Sequence, residues 1–87
     1  MAIQIEFYGI ARSRAGREEI QVQASTAVEA LDLAVAAIPE LASCYDADDG
    51  LKPGFILNLN GKRFLSDLGT PIADGDALLL LSADAGG

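Results

Sequence analysis

Apolar and polar residues alternate in three stretches of the chain. Ile3, Ile5 and Phe7 interleave with Gln4, Glu6 and Tyr8. Ile20, Val22 and Ala24 interleave with Glu19, Gln21 and Gln23, and Phe55, Leu57 and Leu59 with Ile56, Asn58 and Asn60. A period of two puts alternate side chains on opposite faces of an extended chain, so strands are predicted over 3–8, 18–24 and 55–60. Gly9 interrupts the first, and the polar stretch 9–16 reads as the long loop of a hairpin joining the first two. The period then changes. Val28, Leu31, Val35 and Ile38 recur at steps of three and four, which predicts a helix over 26–38. Thr26 and Glu29 have capping-box spacing at its start, and Pro39 ends it. Residues 40–54 read as irregular, with a short turn around 41–45. Asn60-Gly61 favours a tight turn into a short edge strand over 62–65, and Asp74-Gly75 a second turn into a last strand over 77–82.

The order is β-β-α-β-β-β. In the last strand Leu78, Leu79, Leu80 and Leu81 are continuous, which suits a central strand better than an edge. Alternate leucines face opposite ways, so one pair fills the core beneath the helix. The other pair lies on the open face or under the 40–54 loop. An N-terminal hairpin, a crossing helix and a central last strand describe an α+β, ubiquitin-like β-grasp fold. It has a mixed five-stranded sheet, the first and last strands parallel at its centre, and one main helix on one face. Residues 1–83 form the domain and 84–87 a flexible C-terminal tail.

Composition narrows the chemistry. Eighty-seven residues, 51% of them hydrophobic, suffice for one small domain with one core. With no His and a single Cys, the chain has no Cys/His zinc cluster, no four-Cys iron–sulfur site and no nucleophile–His catalysis of its own. Six basic against thirteen acidic residues leave a net charge of −7, which disfavours nucleic acid and anionic membranes as partners and suits a basic protein surface. The opening residues show no secretory signal and the leucine run is too short to span a bilayer, so a cytoplasmic protein is expected. Cys44 fits a reducing compartment.

The remaining chemistry lies in the last residues. Gly86-Gly87 adds nothing to a fold, since glycine loses the most backbone entropy on ordering. A slender carboxylate without Cβ atoms suits threading into a narrow pocket of another protein. Joined to the β-grasp pattern, these residues carry a resemblance. The chain is similar throughout to the MoaD/ThiS family of ubiquitin-like sulfur carriers, which includes small subunits of molybdopterin synthase. The matching features are 7–16, the helix opening at 26–31 and Pro39-Glu40-Leu41. Asn58-Leu59-Asn60-Gly61, Thr70-Pro71-Ile72-Ala73-Asp74-Gly75-Asp76 and Ala85-Gly86-Gly87 continue the match. Asp84 departs from it by placing a charge where the family carries apolar residues or prolines.

The resemblance implies that an E1-like adenylyltransferase uses ATP and Mg²⁺ to adenylate the Gly87 carboxylate. Sulfur from a sulfurtransferase or other persulfide donor displaces AMP to leave a thiocarboxylate. An acceptor synthase, similar to a large subunit, then takes the sulfur. The pathway served is molybdopterin, thiamine, cysteine or secondary-metabolite synthesis. The chain is then a recycled co-substrate and not an enzyme; it binds no cofactor or metal itself, and Gly86 and Gly87 are its reactive end. Leu78, Leu79, Leu80, Leu81, Tyr8, Ile56, Asp84 and Ala85 are the candidate partner-binding residues. The alternatives are a ubiquitin-like modifier conjugated to lysines and a non-catalytic interaction module. Arg12, Arg14 and Arg17 read as a solvated hairpin tip, Asp46 to Asp49 as a solvated loop without EF-hand spacing, and Cys44 as a small core hydrophobe.

Overall fold

The structure, a computed structural model, describes residues 1–82. Strand β1 (Ala2–Phe7) leads into a short helix α1 (Ile10–Ala15), and β2 (Glu19–Gln23) returns antiparallel beside β1. Helix α2 (Ala27–Ala37) and a 3-10 turn (Pro39–Ser43) follow. A two-residue ladder joins β3 (Tyr45–Asp46) to β4 (Gly50–Leu51). Strands β5 (Phe55–Leu59), β6 (Arg63–Phe64) and β7 (Ala77–Ser82) complete the chain described. The main sheet has the order β2-β1-β7-β5-β6, with β1 and β7 parallel and every other neighbouring pair antiparallel. The central leucine strand and its parallel partner stand where the sequence predicts them.

Alternation builds the core. Ile3, Ile5, Phe7, Leu57, Leu59, Leu78 and Leu80 point to the side covered by α2 and are buried. Of the predicted stripe Leu31 and Ile38 are buried, and alanines make the rest of the contact. Ala27, Ala30, Leu31 and Ala34 are buried, whereas Val28 and Val35 lie at the margin. Alanine at the contact lets the helix backbone approach the sheet, and the valines pack along its flanks. At the helix start, Thr26 Oγ1 accepts from Glu29 N–H at 3.2 Å, as the capping box requires. Glu29 Oε1 reaches back one residue further than expected, to Ser25 N–H at 2.7 Å. Two more of the first-turn donors are satisfied from outside the helix. Ala27 N–H donates to Thr70 O and Val28 N–H to Leu68 O, so the 67–71 loop caps the helix.

One segment differs from the sequence reading, and a second settles a placement that the sequence leaves open. Residues 9–16, expected as a loop, contain α1. Gly9 (φ 60°, ψ −131°) turns the chain out of β1, and Gly16 in the left-handed region closes the helix by donating to Arg12 O. Ala11 is its buried residue, packed into the main core. The 40–54 segment does not cross the open face. It packs against α2 and α1, with Leu41, Cys44 and Tyr45 buried in the core and the Tyr45 hydroxyl donating to Asp32 Oδ1 at 2.7 Å. Burial and the Asp32 carboxylate both hold the Tyr45 phenol well above its usual range.

The approach to β7 is fixed by a polar cluster. Asn60 takes φ 59° and Gly61 φ 71° in the turn between β5 and β6. From there Asn60 Oδ1 accepts from Ala77 N–H at 2.8 Å and Asn60 Nδ2 donates to Asp76 Oδ1 at 3.1 Å. Asp76 Oδ2 accepts from Ala73 N–H at 2.8 Å. The Ala73 amide, and after it Asn60, holds the Asp76 carboxyl below the usual carboxylate range. A carboxyl depressed in the folded state stabilises it above the unfolded pKa, and that stabilisation is lost as pH falls through the folded value. Melting temperature is therefore expected to hold from neutral pH to about pH 5 and to decline below about pH 4, where unfolded aspartates titrate. Asp76→Ala should melt lower at neutral pH and show a shallower acid decline, as thermal melts across that range would read.

Candidate functional site

The face of the sheet opposite α2 carries the candidate docking residues. Leu78 and Leu80, named with their neighbours as partner-binding candidates, point into the core with 0% and 1% exposure, so they leave no side chain for a partner. The open-face pair is Leu79 and Leu81, each half-buried. The registers arrange the other side chains around them in rows running across the strands. Glu19, Glu6, Leu79, Asn58 and Phe64 form one row, each the cross-strand partner of the next. In the adjacent row Leu81 pairs with Ile56, and Tyr8, whose N–H donates to Leu80 O at 3.0 Å, takes the next place on the other side. Tyr8, Leu81 and Ile56 therefore share one apolar ridge, half-exposed and continuous with Leu79.

Polar contacts orient this ridge. Along β1 the Tyr8 hydroxyl donates to Glu6 Oε1 at 2.5 Å, and Gln4 Nε2 donates to Glu6 Oε2 at 2.8 Å. The bond to Glu6 raises the Tyr8 phenol above its usual pKa. Arg12, read from the sequence as part of a solvated tip, has two contacts instead. Its guanidinium carbon lies 5.2 Å from the Tyr8 ring centroid, and its Nε–H donates to Phe7 O at 2.9 Å. Such a contact fixes the ring by cation–π attraction. Where β7 ends, Ile10 N–H donates to the buried Ser82 Oγ at 2.8 Å, tying the last described residue to the start of α1. Asp84, Ala85, Gly86 and Gly87 lie outside the described residues.

Other candidates resolve into structural roles. Asp46 Oδ1 accepts from Asp48 N–H and Asp49 N–H, and its Oδ2 is paired with Lys52 Nζ at 2.6 Å. Lys52 first, then the backbone amides, holds its carboxyl below the usual range. The acidic loop is thus organised by its own chain. Among the described residues no group of three or more His, Cys, Asp or Glu side chains converges to hold a metal ion. Burial pushes the Cys44 thiol up, away from thiolate reactivity. A groove lined by Ile10, Ser13, Arg14, Glu40 and Ser43 runs between α1 and the 3-10 turn. No helix among the described residues is long and apolar enough to cross a membrane.

Two surface features escaped the sequence reading. Phe64, on the two-residue β6, is 65% exposed and prolongs the apolar ridge to the sheet edge. Its alternation signal is too short to assign a face. Asn58, in contrast, is 7% exposed although it faces outward. Its burial comes from cross-strand neighbours, which a single strand pattern does not contain.

No protein-family model and no curated protein matches the sequence. Among solved structures, SAMP1, the small archaeal modifier protein 1 of Haloferax volcanii, aligns over 100% of both chains at 27% identity and TM-score 0.86. The CysO protein of an Amycolatopsis orientalis BexX/CysO complex covers 98% of this chain and 99% of its own at 20% identity, with TM-score 0.80. A complex of subunits 1 and 2 of molybdopterin-converting factor from Helicobacter pylori matches over 94% of this chain and 93% of that chain, at 21% identity and TM-score 0.63. At their identities the last two attest the fold alone.

Sheet order, helix placement and these likenesses define a ubiquitin-like β-grasp protein. Small archaeal modifier protein 1 resembles it at 27% identity, and CysO and molybdopterin converting factor subunit 1 share its fold.

Proposed function

We propose that this protein is a sulfur carrier, a co-substrate whose Gly87 carboxylate is activated by one partner and delivers sulfur to another. The observation that carries the proposal is the position of β7. The strand that leads to Gly86-Gly87 is central in the sheet and presents Leu79 and Leu81 on the open face. A protein docked on Tyr8, Ile56, Leu79 and Leu81 therefore also sits beside the strand from which the reactive end continues. An E1-like adenylyltransferase would attach AMP to the carboxylate with release of pyrophosphate, using its own ATP and Mg²⁺. Sulfur from a persulfide donor would displace AMP, and the thiocarboxylate would pass its sulfur to an acceptor synthase. Asp84 and Ala85 would line the partner's channel. The catalytic groups belong to the partners, and this chain supplies docking and reach. Structures of similar proteins seen in protein complexes, CysO with BexX and the two molybdopterin-converting-factor subunits, support the partner side of the reading.

The likeness to a small archaeal modifier favours a second reading, conjugation of Gly87 to lysines of target proteins. Both readings begin with adenylation and part afterwards. Intact mass of the protein from its native host distinguishes them. A species heavier by the difference between sulfur and oxygen supports the carrier. Lysines of other proteins that carry the 64–87 peptide after trypsin, which cuts this chain last at Arg63, with no thiocarboxylate species under any growth condition, overturn it in favour of the modifier.

A further inference from the structure

The open face contains one polar atom in an unusual state. Asn58 Oδ1 is buried and has no hydrogen-bond partner among the described residues. A buried acceptor without a donor is destabilising, and such groups are rare in folded proteins. An apolar side chain of similar size would suit the position better, since its row neighbours are Leu79 on one side and Phe64 on the other. Folding alone gives no reason for an amide here.

We propose that Asn58 is a specificity-determining acceptor at the centre of the docking face, and that the partner it fits presents an arginine to it. This rests on the carrier reading, because it assigns the chemistry of the surface that the activating enzyme contacts. Three observations choose the partner's side chain. The available atom is a carbonyl oxygen, so the partner must donate. The charged side chains in the same row are Glu6 and Glu19, and none of the strand positions on this face among the described residues is Lys or Arg. Arg12 of α1 lies over Tyr8, at the end of β1 and two strands away from Asn58. The face is therefore complementary to a cation. Next to Asn58 stands the exposed ring of Phe64, a flat surface on which a guanidinium stacks while its N–H groups bond an oxygen. An ammonium, compact and strongly hydrated, gains less from such a site.

Reaching Oδ1 requires a neighbouring side chain to move. Phe64 is suited to this, because it is 65% exposed and lies on an edge strand of two residues. Rotamer changes of that kind are common when interfaces form. In the free protein the ring and Leu79 flank an unsatisfied carbonyl. In the complex the same carbonyl is satisfied, which makes the interaction stronger for the arginine-bearing partner than for a surface that is merely apolar.

The test uses the full chain and the purified E1-like activating enzyme of the same organism. ATP–pyrophosphate exchange is first measured with the unaltered protein, then Kd by calorimetry for Asn58→Leu and Asn58→Asp, with thermal melts of each. Asn58→Leu is expected to melt about 4–8 °C higher, the shift that relief of one unsatisfied buried group gives a domain this size. It should nonetheless bind about tenfold more weakly or worse. Asn58→Asp retains the acceptor and adds a charge, and should bind within about threefold of the parent or tighter. Unchanged affinity in Asn58→Leu overturns the inference while leaving the carrier reading intact. Equal loss in both variants overturns the cationic partner. Absence of any exchange with the unaltered protein overturns the carrier reading itself and removes this partner with it.

Discussion

Deleting Gly87 is expected to lower adenylation by about a hundredfold or more, with no change in melting temperature. The deletion retracts the carboxylate by one residue, about 3.3–3.6 Å along an extended chain. Reacting atoms must meet within about 3–3.5 Å, and a misplacement of about 1 Å already costs on the order of a hundredfold. One residue therefore consumes the whole tolerance. Adding a residue after Gly87 should be nearly as harmful, because a peptide carbonyl would then occupy the place of the carboxylate. Gly86→Ala should lose less, since it keeps the length and introduces only a Cβ. The core cluster of the described residues runs from Ile3 to Leu80, so thermal melts should not move. ATP–pyrophosphate exchange with the activating enzyme is the measurement, and parental rates for the deletion would remove Gly87 from the chemistry.

Replacing Leu81 with Asp should weaken docking of that enzyme by about a hundredfold while the domain remains folded. Leu81 lies between Tyr8 and Ile56 on the open ridge, and its core-facing neighbours Leu80 and Ser82 are untouched by the change. A carboxylate at the centre of an apolar contact is desolvated without a partner, and loss of a central anchor commonly exceeds about 2 kcal/mol. Leu79 needs a different substitution, because Asp there would face Glu6 across the strands and add repulsion to the loss of contact. Leu79→Gln avoids this and should cost about tenfold. Calorimetric titration reads both, and circular dichroism confirms the fold. An unchanged Kd for Leu81→Asp would take the ridge out of the interface, and an unfolded variant would show that Leu81 serves the core.

The main sheet and α2 were legible because their signals are local and strong. Ile3, Ile5 and Phe7 reveal their face by alternation, Asn60-Gly61 its turn by conformational preference, and the four leucines their central place by having no polar side. The short helix at Ile10–Ala15 was not legible, since six residues with one buried alanine carry no stripe. Its boundaries come from Gly9 and Gly16, which look equally like loop residues. The valines of α2 misled for a related reason. Size marks a residue as a core candidate, while close approach of a helix to a sheet selects alanine. Which leucine pair faces outward depends on strand register. Asn58 depends on it further, since only pairing with Leu79 and Phe64 makes an outward amide a buried one. The row from Glu19 to Phe64 is assembled from five strands separated along the chain, and no window of sequence contains it.

The parallel pairing of β1 with β7 also sets an order in time. Of the described strands a ribosome makes β7 last, yet β7 lies between β1 and β5 and completes the core from both sides. Until residues 77–82 have left the exit tunnel, the sheet has a gap at its centre, and the first strand waits for a partner more than seventy positions away. Non-local closure of this kind makes folding a late, all-or-none event. A chain terminated before residue 77 loses Gly86-Gly87 and the middle of its sheet together. Products truncated before β7 should thus fall to proteolysis instead of occupying the activating enzyme as unreactive competitors, and the architecture screens out such failures of its own synthesis.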